Sequence, residues 1–230
     1  MTSGAAPVLE LAGVSKHYQG LRPLRLEQLT VHAGDRVALL GFDRAAAEVF
    51  VSLVTGAALP DAGSVTLFGR PTSDITDSAE WLAIVDGVGI VSDRVVLLEA
   101  LTVVQNLALP YTLAIEPPAE EVRRRAIDLA AEVGLAAAAW ERPVADLDAA
   151  GHARVRLGRA LALDPAVLLV EHISAGLDRP AARLLAADMR RLASARGTAL
   201  VALTGDERFA AAVASRVMTL DPASGRLRRR

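Results

Sequence analysis

With 230 residues and a formal net charge of −2, the chain fits one large domain, or one domain with a small insert, and can bury a sizeable core. Its near-neutral balance gives no reason to expect nucleic acid, and charges interrupt every long apolar run, so no stretch of about 20 residues suits a bilayer. The absence of cysteine excludes disulfides and thiolate metal sites, and Met1 to Ala6 carries no signal-peptide pattern, which makes the cytoplasm the expected compartment.

Val8 to Val14 alternates apolar with polar or small residues, as a half-buried strand does. Lys16 to Gly20 reads as a turn, followed by a Leu-rich segment, Leu21 to Val31. Ala33-Gly34 then turns the chain into Asp35 to Leu40, a strand apolar enough to lie inside a parallel sheet. A helix is expected from about Asp43 to Gly56, a turn over Leu59 to Gly63 and a short strand over Ser64 to Pro71. Val88 to Val91 is a further strand. Leu101 to Leu113 and Ala119 to Val133 carry helical periodicity, with Gly134 closing the second. The run Ala136 to Ala139 reads as a helical connector. Asp146 to Leu163 is helical until Asp164-Pro165 breaks it ahead of the apolar strand Ala166 to Val170. Pro180 to Ala195 is a helix, Thr198 to Leu203 a strand, Asp206 to Ala214 a helix and Ser215 to Leu220 a last core strand. Arg228 to Arg230 reads as a frayed tail. Alternating strands and helices predict an α/β fold with a mainly parallel sheet, interrupted by a helical insert over about residues 94–150.

The strand-to-helix junction from Leu39 to Phe50 sits where a phosphate-binding loop, G-x-x-x-x-G-K-S/T, would be. There, backbone N–H groups cradle phosphates, the Lys reaches the β/γ-phosphates and the hydroxyl holds Mg²⁺. Gly41 supplies the first position, but Ala46, Ala47 and Glu48 occupy the Gly, Lys and Ser/Thr positions. Lys16 is the only lysine in the chain, so no other stands ready for such a loop. Asp43 is a good N-cap and Arg44 to Glu48 has high helix propensity, so the helix is expected to start early and fill the loop. The alternative is that Arg44 supplies the missing charge to a divergent phosphate site.

From Val8 to about Arg226 the order of segments resembles the nucleotide-binding subunit of an ATP-binding cassette (ABC) transporter. Tyr18 falls where that family places the aromatic that stacks on adenine. Ala33 to Gly41 matches the strand entering the phosphate loop, and Pro60 to Val65 matches P-D-x-G-x-I/V. Leu101-Thr102-Val103 with Asn106 matches the segment after the glutamine loop. Arg154 to Leu161 matches the helix after the signature, and Ala175 to Asp178 matches the D-loop. The resemblance implies a P-loop NTPase-like fold. Its parts are a three-layer core with a parallel sheet, an antiparallel β subdomain and a helical subdomain, all within a single domain over residues 1–230.

It also implies ATP and Mg²⁺ as ligands, yet the family's chemical positions are substituted almost one by one. The glutamine that touches Mg²⁺ and the attacking water is Asp93. The signature L-S-G-G-Q becomes Leu147-Asp148-Ala149-Ala150-Gly151. The Walker B aspartate is Glu171, the catalytic glutamate is His172 and the switch histidine is Gly205. Tyr18, Gly41 and Asp178 keep family-type residues. Glu171 and His172 are the catalytic candidates, the His as a general base. His17, His32 and His152 show no ligand spacing to His172, so no metal site is assigned. Asp148 is expected to cap the helix that follows it.

By the same resemblance the partners are transmembrane permease subunits, met through the apolar run around Val95, Val96, Leu97 and Leu98, and a second nucleotide-binding subunit, identical or different. The expected role is a degenerate pseudo-ATPase subunit of a membrane transport complex, structural or regulatory, peripheral at the inner face of the cell membrane. A divergent but active ATPase and a soluble interaction scaffold are the alternatives.

Overall fold

A computed structural model of the protein describes residues 6–20 and 22–230; the readings at Met1–Ala5 and Leu21 lie outside them. The first strands are β1 (Leu9–Lys16), β2 (Leu24–Val31) and β3 (Arg36–Leu40), followed by helix α1 (Arg44–Val54), β4 (Ala62–Leu67) and β5 (Arg70–Pro71). Next come α2 (Ser78–Asp86), β6 (Val88–Ser92), α3 (Val103–Ala108), α4 (Glu120–Glu132) and α5 (Ala149–Leu161). The chain continues through β7 (Val167–Glu171), α6 (Arg179–Arg196), β8 (Ala199–Leu203), α7 (Glu207–Val213), β9 (Arg216–Asp221) and β10 (Arg226–Arg229).

Two sheets result. One is four-stranded and antiparallel, in the order β2-β1-β4-β5. The other has the order β10-β9-β3-β8-β7-β6, with every pairing parallel except β9–β10. The central strands are buried on both faces, as the unbroken apolar runs require. Val37, Leu39, Val167, Leu169, Ala199 and Val201 face a core shared with the antiparallel sheet and α1. Ala38, Leu40, Leu168, Val170, Leu200 and Ala202 face a second core built with α3 to α7. The parallel sheet is thus the middle of three layers.

Two glycines set local geometry. Gly63 has φ +79°, and a Cβ there would lie 2.3 Å from the Gly13 carbonyl oxygen, so β4 can cross β1 at its register shift only with glycine. Gly41, at φ +88°, ends β3 and would place a Cβ 3.0 Å from the Leu220 carbonyl oxygen of β9.

Several expected boundaries are corrected. Leu24–Val31 of the Leu-rich segment is a strand, because Leu24, Leu26, Leu29 and Val31 point into the core beside β1. The helix read over Leu101 to Leu113 shrinks to α3: Thr102 caps it, with Gln105 completing a capping box, and Pro110 follows its end. The helix read from Asp146 starts at Ala149, since the Asp148 side chain accepts from the Gly151 N–H at 2.7 Å. Ala137–Ala139 is a single 3₁₀ turn. Helix α2 was not expected; it is capped by Asp77, but Trp81 to Val85 is apolar throughout, so no stripe stands out to be read although Ile84 packs on the core. The arginine tail is no tail: Arg226–Arg229 pairs with β9 through a turn in which Gly225, at φ +77°, donates to the Asp221 carbonyl at 2.8 Å.

Candidate functional site

Parallel pairing brings the carboxyl ends of β3, β6, β7 and β8 to one edge of the sheet, the usual position for a ligand site in such folds. The chain leaves these ends through Gly41–Asp43, Asp93–Arg94, Glu171–His172 and Thr204–Gly205.

At the end of β3 the helix starts early, as its residues predict. Asp43 accepts from the Ala46 N–H through Oδ1 at 2.7 Å and from the Ala47 N–H through its carbonyl at 2.9 Å. Ala46 and Ala47 are buried, and Phe50 is buried one turn on. The amides that a phosphate loop would aim outward are engaged by the helix's own cap and first turn.

Three carboxylates meet beside that helix: Glu48 from α1, Asp93 after β6 and Glu171 at the end of β7. The Glu171 side chain is only 4% exposed. Arg94, which the sequence did not single out, lies between two of them. Its Nη2 donates to Glu171 Oε1 and Oε2 at 2.8 and 2.7 Å, while its Nη1 lies 3.0 Å from Glu48 Oε1. Arg44 donates to Asp93 Oδ2 at 2.6 Å. Two guanidiniums thus pair with the three carboxylates, and a third, Arg156, lies against the Asp93 carbonyl. A carboxylate as buried as that of Glu171 requires such a counter-charge, because desolvation of an isolated ion costs several kcal/mol (order of magnitude). Among the described residues no group of His, Cys, Asp and Glu is arranged to hold a metal ion.

The other expected positions sit as follows. The Tyr18 ring folds over Gly20, where an added Cβ would come within 2.6 Å of it, and packs on the core beneath the antiparallel sheet. Burial, then the nearby Asp43 charge, raises its hydroxyl pKa. The sole lysine, Lys16, binds Asp61 at 2.8 Å, and the His17 N–H donates to the same carboxylate at 2.6 Å. His172 holds a left-handed backbone at φ +43°, and its Nε2 is buried without a hydrogen-bond partner; it does not contact the ion-pair cluster through any hydrogen bond or salt bridge. Gly205 has open space around it, and the adjacent Asp206 caps α7. Asp148 and Asp178 cap α5 and α6, with Ala149 and Ala150 forming the first turn of α5 and Gly151 packed against Leu147.

The segment after β6 is fastened at both ends. On its first side, two arginines of α5 donate to its backbone: Arg156 Nε to Val95 O at 3.2 Å and Arg159 Nη1 to Val96 O at 2.7 Å. Burial lowers the pKa of both, with Asp93 and Glu99 opposing the shift at Arg156. On its far side the fully buried Asn106 accepts from the Leu98 N–H and donates to the carbonyls of Leu98 and Thr102. Between these anchors Val96 is 75% and Leu98 42% exposed, whereas Leu97 is buried. Leu97 therefore belongs to the core and not to the expected docking surface. Beside the segment an open, mainly apolar groove of about 300 Å³ is lined by Val85, Ile90, Val95, Leu109, Arg159 and Leu163.

Arg94, Arg156, Arg159 and the Lys16–Asp61 pair were missed in the sequence. One signal was present: three acidic residues assigned to one site by family order demand nearby cations, and Arg94 adjoins one of them.

No protein-family model matches the chain. It is 33% identical over 220 residues to the nickel import ATP-binding protein NikO of Rhodobacter capsulatus, covering 94% of this chain and 86% of that one. It is 30% identical over 183 residues to the lipoprotein-releasing system ATP-binding protein LolD of Psychrobacter arcticus, covering 80% of each. The methionine import ATP-binding protein MetN of Brucella abortus is 30% identical over 217 residues, or 94% of this chain, which spans 58% of its length. Among solved structures, the dimeric ATP-binding cassette MJ0796 bound to ADP and Pi superposes with a TM-score of 0.78 at 22% identity, over 96% of this chain and 97% of that one. The chain cbiO1 of Clostridium perfringens, part of the ABC transporter complex cbiONQ, gives 0.80 at 18% identity, over 96% and 87%. These likenesses fix the fold, and the sequence relatives fix the lineage: the chain belongs to the family of ATP-binding subunits of ABC transporters.

Proposed function

We propose that this chain is a pseudo-ATPase subunit of a membrane transport complex, retaining the cassette fold for a structural or regulatory role. The observation that carries this reading is the Arg94 guanidinium bridging Glu48 and Glu171, with Arg44 closing on Asp93 alongside. By family order these carboxylates occupy the positions that would face the polyphosphate and its cation. The residues present do not fit Mg-ATP. The amides of Ala46 and Ala47 are bonded within the helix start, the sole lysine is bonded to Asp61, and Arg44 and Arg94 are already paired with carboxylates. Losing two charge-assisted hydrogen bonds, at about 1.5–3 kcal/mol each, weakens nucleotide by roughly a hundredfold to ten-thousandfold. No catalytic step is assigned to Glu171 or His172, because the first is neutralised by Arg94 and the second makes no hydrogen bond through Nε2.

The partners in this reading are transmembrane permease subunits and a second cassette. The helical insert, about residues 94–150, and the groove beside Val95 would receive a permease helix, with Val96 and Leu98 as exposed apolar contacts. Among the described residues no helix is long and apolar enough to cross a membrane; in this reading attachment to the inner face is through the partner. The relatives' names cover import of methionine and nickel and release of lipoproteins, which supports transport without a common cargo.

The test is calorimetric titration of the purified chain with Mg-ATP. Millimolar or weaker binding with no phosphate release is expected. Micromolar binding with release abolished by Glu171→Gln would identify a divergent active ATPase. Co-purification with the co-expressed permease, lost on Val96→Glu or Leu98→Glu, separates a transport subunit from a stand-alone scaffold.

A further inference from the structure

The arginines around residues 93–98 do more than neutralise carboxylates. Several polar groups of this short segment are held by other elements. The Asp93 side chain binds Arg44 at the start of α1, and the Arg94 side chain spans Glu48 of α1 and Glu171 of β7. The carbonyls of Asp93, Val95 and Val96 accept from Arg156 and Arg159 of α5. Beyond them the Leu98 amide and carbonyl are both held by the Asn106 amide group. The segment's own turn is closed by Val95 N–H to Ser92 O at 3.2 Å and Leu101 N–H to Leu98 O at 3.0 Å. The apolar side chains that project outward are Val96 and Leu98.

We infer that Arg94 is a positioning residue, an internal counter-cation that latches the 93–98 segment to the sheet and to α1, so that Val96 and Leu98 are displayed in one conformation without any ligand. A guanidinium can do this where a lysine cannot. Its two terminal nitrogens reach two carboxylates on different elements at once, with the planar fork holding both directions fixed. The deepest of its bonds is also the least screened, because the Glu171 side chain is almost wholly buried. The inference deepens the docking reading above and rests on it only for what the displayed residues meet.

Hydrogen–deuterium exchange of the full chain, read by mass spectrometry on peptides covering residues 92–101, tests the latch directly. Arg94→Met is expected to speed exchange in these peptides at least tenfold more than in peptides from β8 and α6, whose acceleration reports only the global loss of stability. Arg94→Lys is expected to restore part of the protection, and Glu48→Gln, which leaves the Glu171 bond in place, to change the rate less than threefold. Wild-type protein with and without Mg-ATP is expected to exchange identically here. Unchanged exchange in Arg94→Met overturns the inference, as does full protection in the Lys variant. Should Arg94→Met fail to fold, the milder Arg94→Gln decides the matter: local acceleration over 93–98 supports the latch, and its absence overturns it. A nucleotide-dependent rate in the wild type would overturn the ligand-free display while reporting separately on nucleotide binding, and lost permease capture with intact protection would fault the docking reading alone.

Discussion

Arg94 and Glu171 make a two-point contact across 77 residues of chain, one guanidinium nitrogen lying within 2.8 Å of both carboxylate oxygens. Because the acid is buried and the base half-exposed, the two partners are unequal. Removing the base strands a charge, whereas removing both strands nothing. Arg94→Leu is expected to destabilise the fold by about 2–4 kcal/mol, below the range for a fully buried pair because solvent reaches the guanidinium. Arg94→Leu with Glu171→Leu is expected to recover at least half of that loss. Urea denaturation of the two single variants and the double variant measures the coupling.

Asp43 holds the start of α1 through the Ala46 amide. Asp43→Ala is expected to cost about 1 kcal/mol, as loss of an N-cap does, with Asp43→Asn nearly neutral. Thermal melts followed by circular dichroism distinguish the two.

Reinstating a phosphate loop should bring affinity back. Ala46→Gly, Ala47→Lys and Glu48→Ser together return the lysine, the hydroxyl and the backbone freedom, and remove one carboxylate from Arg94. Two restored charge-assisted contacts correspond to about 10²–10⁴-fold tighter Mg-ATP binding. Fluorescent-nucleotide titration of the triple variant against the wild type reads this, and a ratio near one would mean that the helix start, not the side chains, excludes nucleotide.

Asp61 joins Lys16 and the His17 amide to the turn before β4. The amide hydrogen bond first, and the lysine second, hold its carboxyl well below the usual aspartate value of 3.8. A depressed carboxylate stabilises the fold above its unfolded pKa and loses that contribution as pH falls toward the folded one. The gap in Tm between wild type and Asp61→Asn is therefore expected to be constant from pH 5 to 7 (approximate limits) and to shrink as pH drops below about 4. Melts across that window check the sign.

Gly41 combines a left-handed backbone with a carbonyl 3.0 Å from where a Cβ would lie. Gly41→Ala is expected to cost about 1–3 kcal/mol, readable as a lowered urea midpoint with an unchanged slope.

The sheet was legible because its strands are continuous apolar runs. Val167 to Val170 and Ala199 to Leu203 announce burial on both faces, and family order supplied the rest of the architecture. The start of α1 was legible for a local reason, since Asp43 and the alanines after it act within one turn. The ion-pair cluster was not. Arg94 is ordinary in its own neighbourhood, and its role comes from Glu48 and Glu171, 46 positions before it and 77 after it, which only the parallel packing of β6 and β7 brings within reach. Helix α2 escaped for the opposite reason: its cap at Asp77 is a local signal, but the unbroken apolar run Trp81 to Val85 lacks the periodicity that makes a helix recognisable.

The last strand has a consequence of its own. β10 is the last strand of the parallel sheet, flanked at its start by β2, whose Glu27 amide donates to Gly225 O at 2.8 Å, and a border strand can invite the strand of another molecule. Arg226, Arg228 and Arg229 stand along it, all exposed, with Arg226 bonded to Glu27 at 2.8 Å. An incoming strand would have to strip water from several guanidiniums to pair there. The arginine-rich border thus acts as a guard against fibril-like growth, and exchanging its charges for valine is the change that would expose the cassette to aggregation.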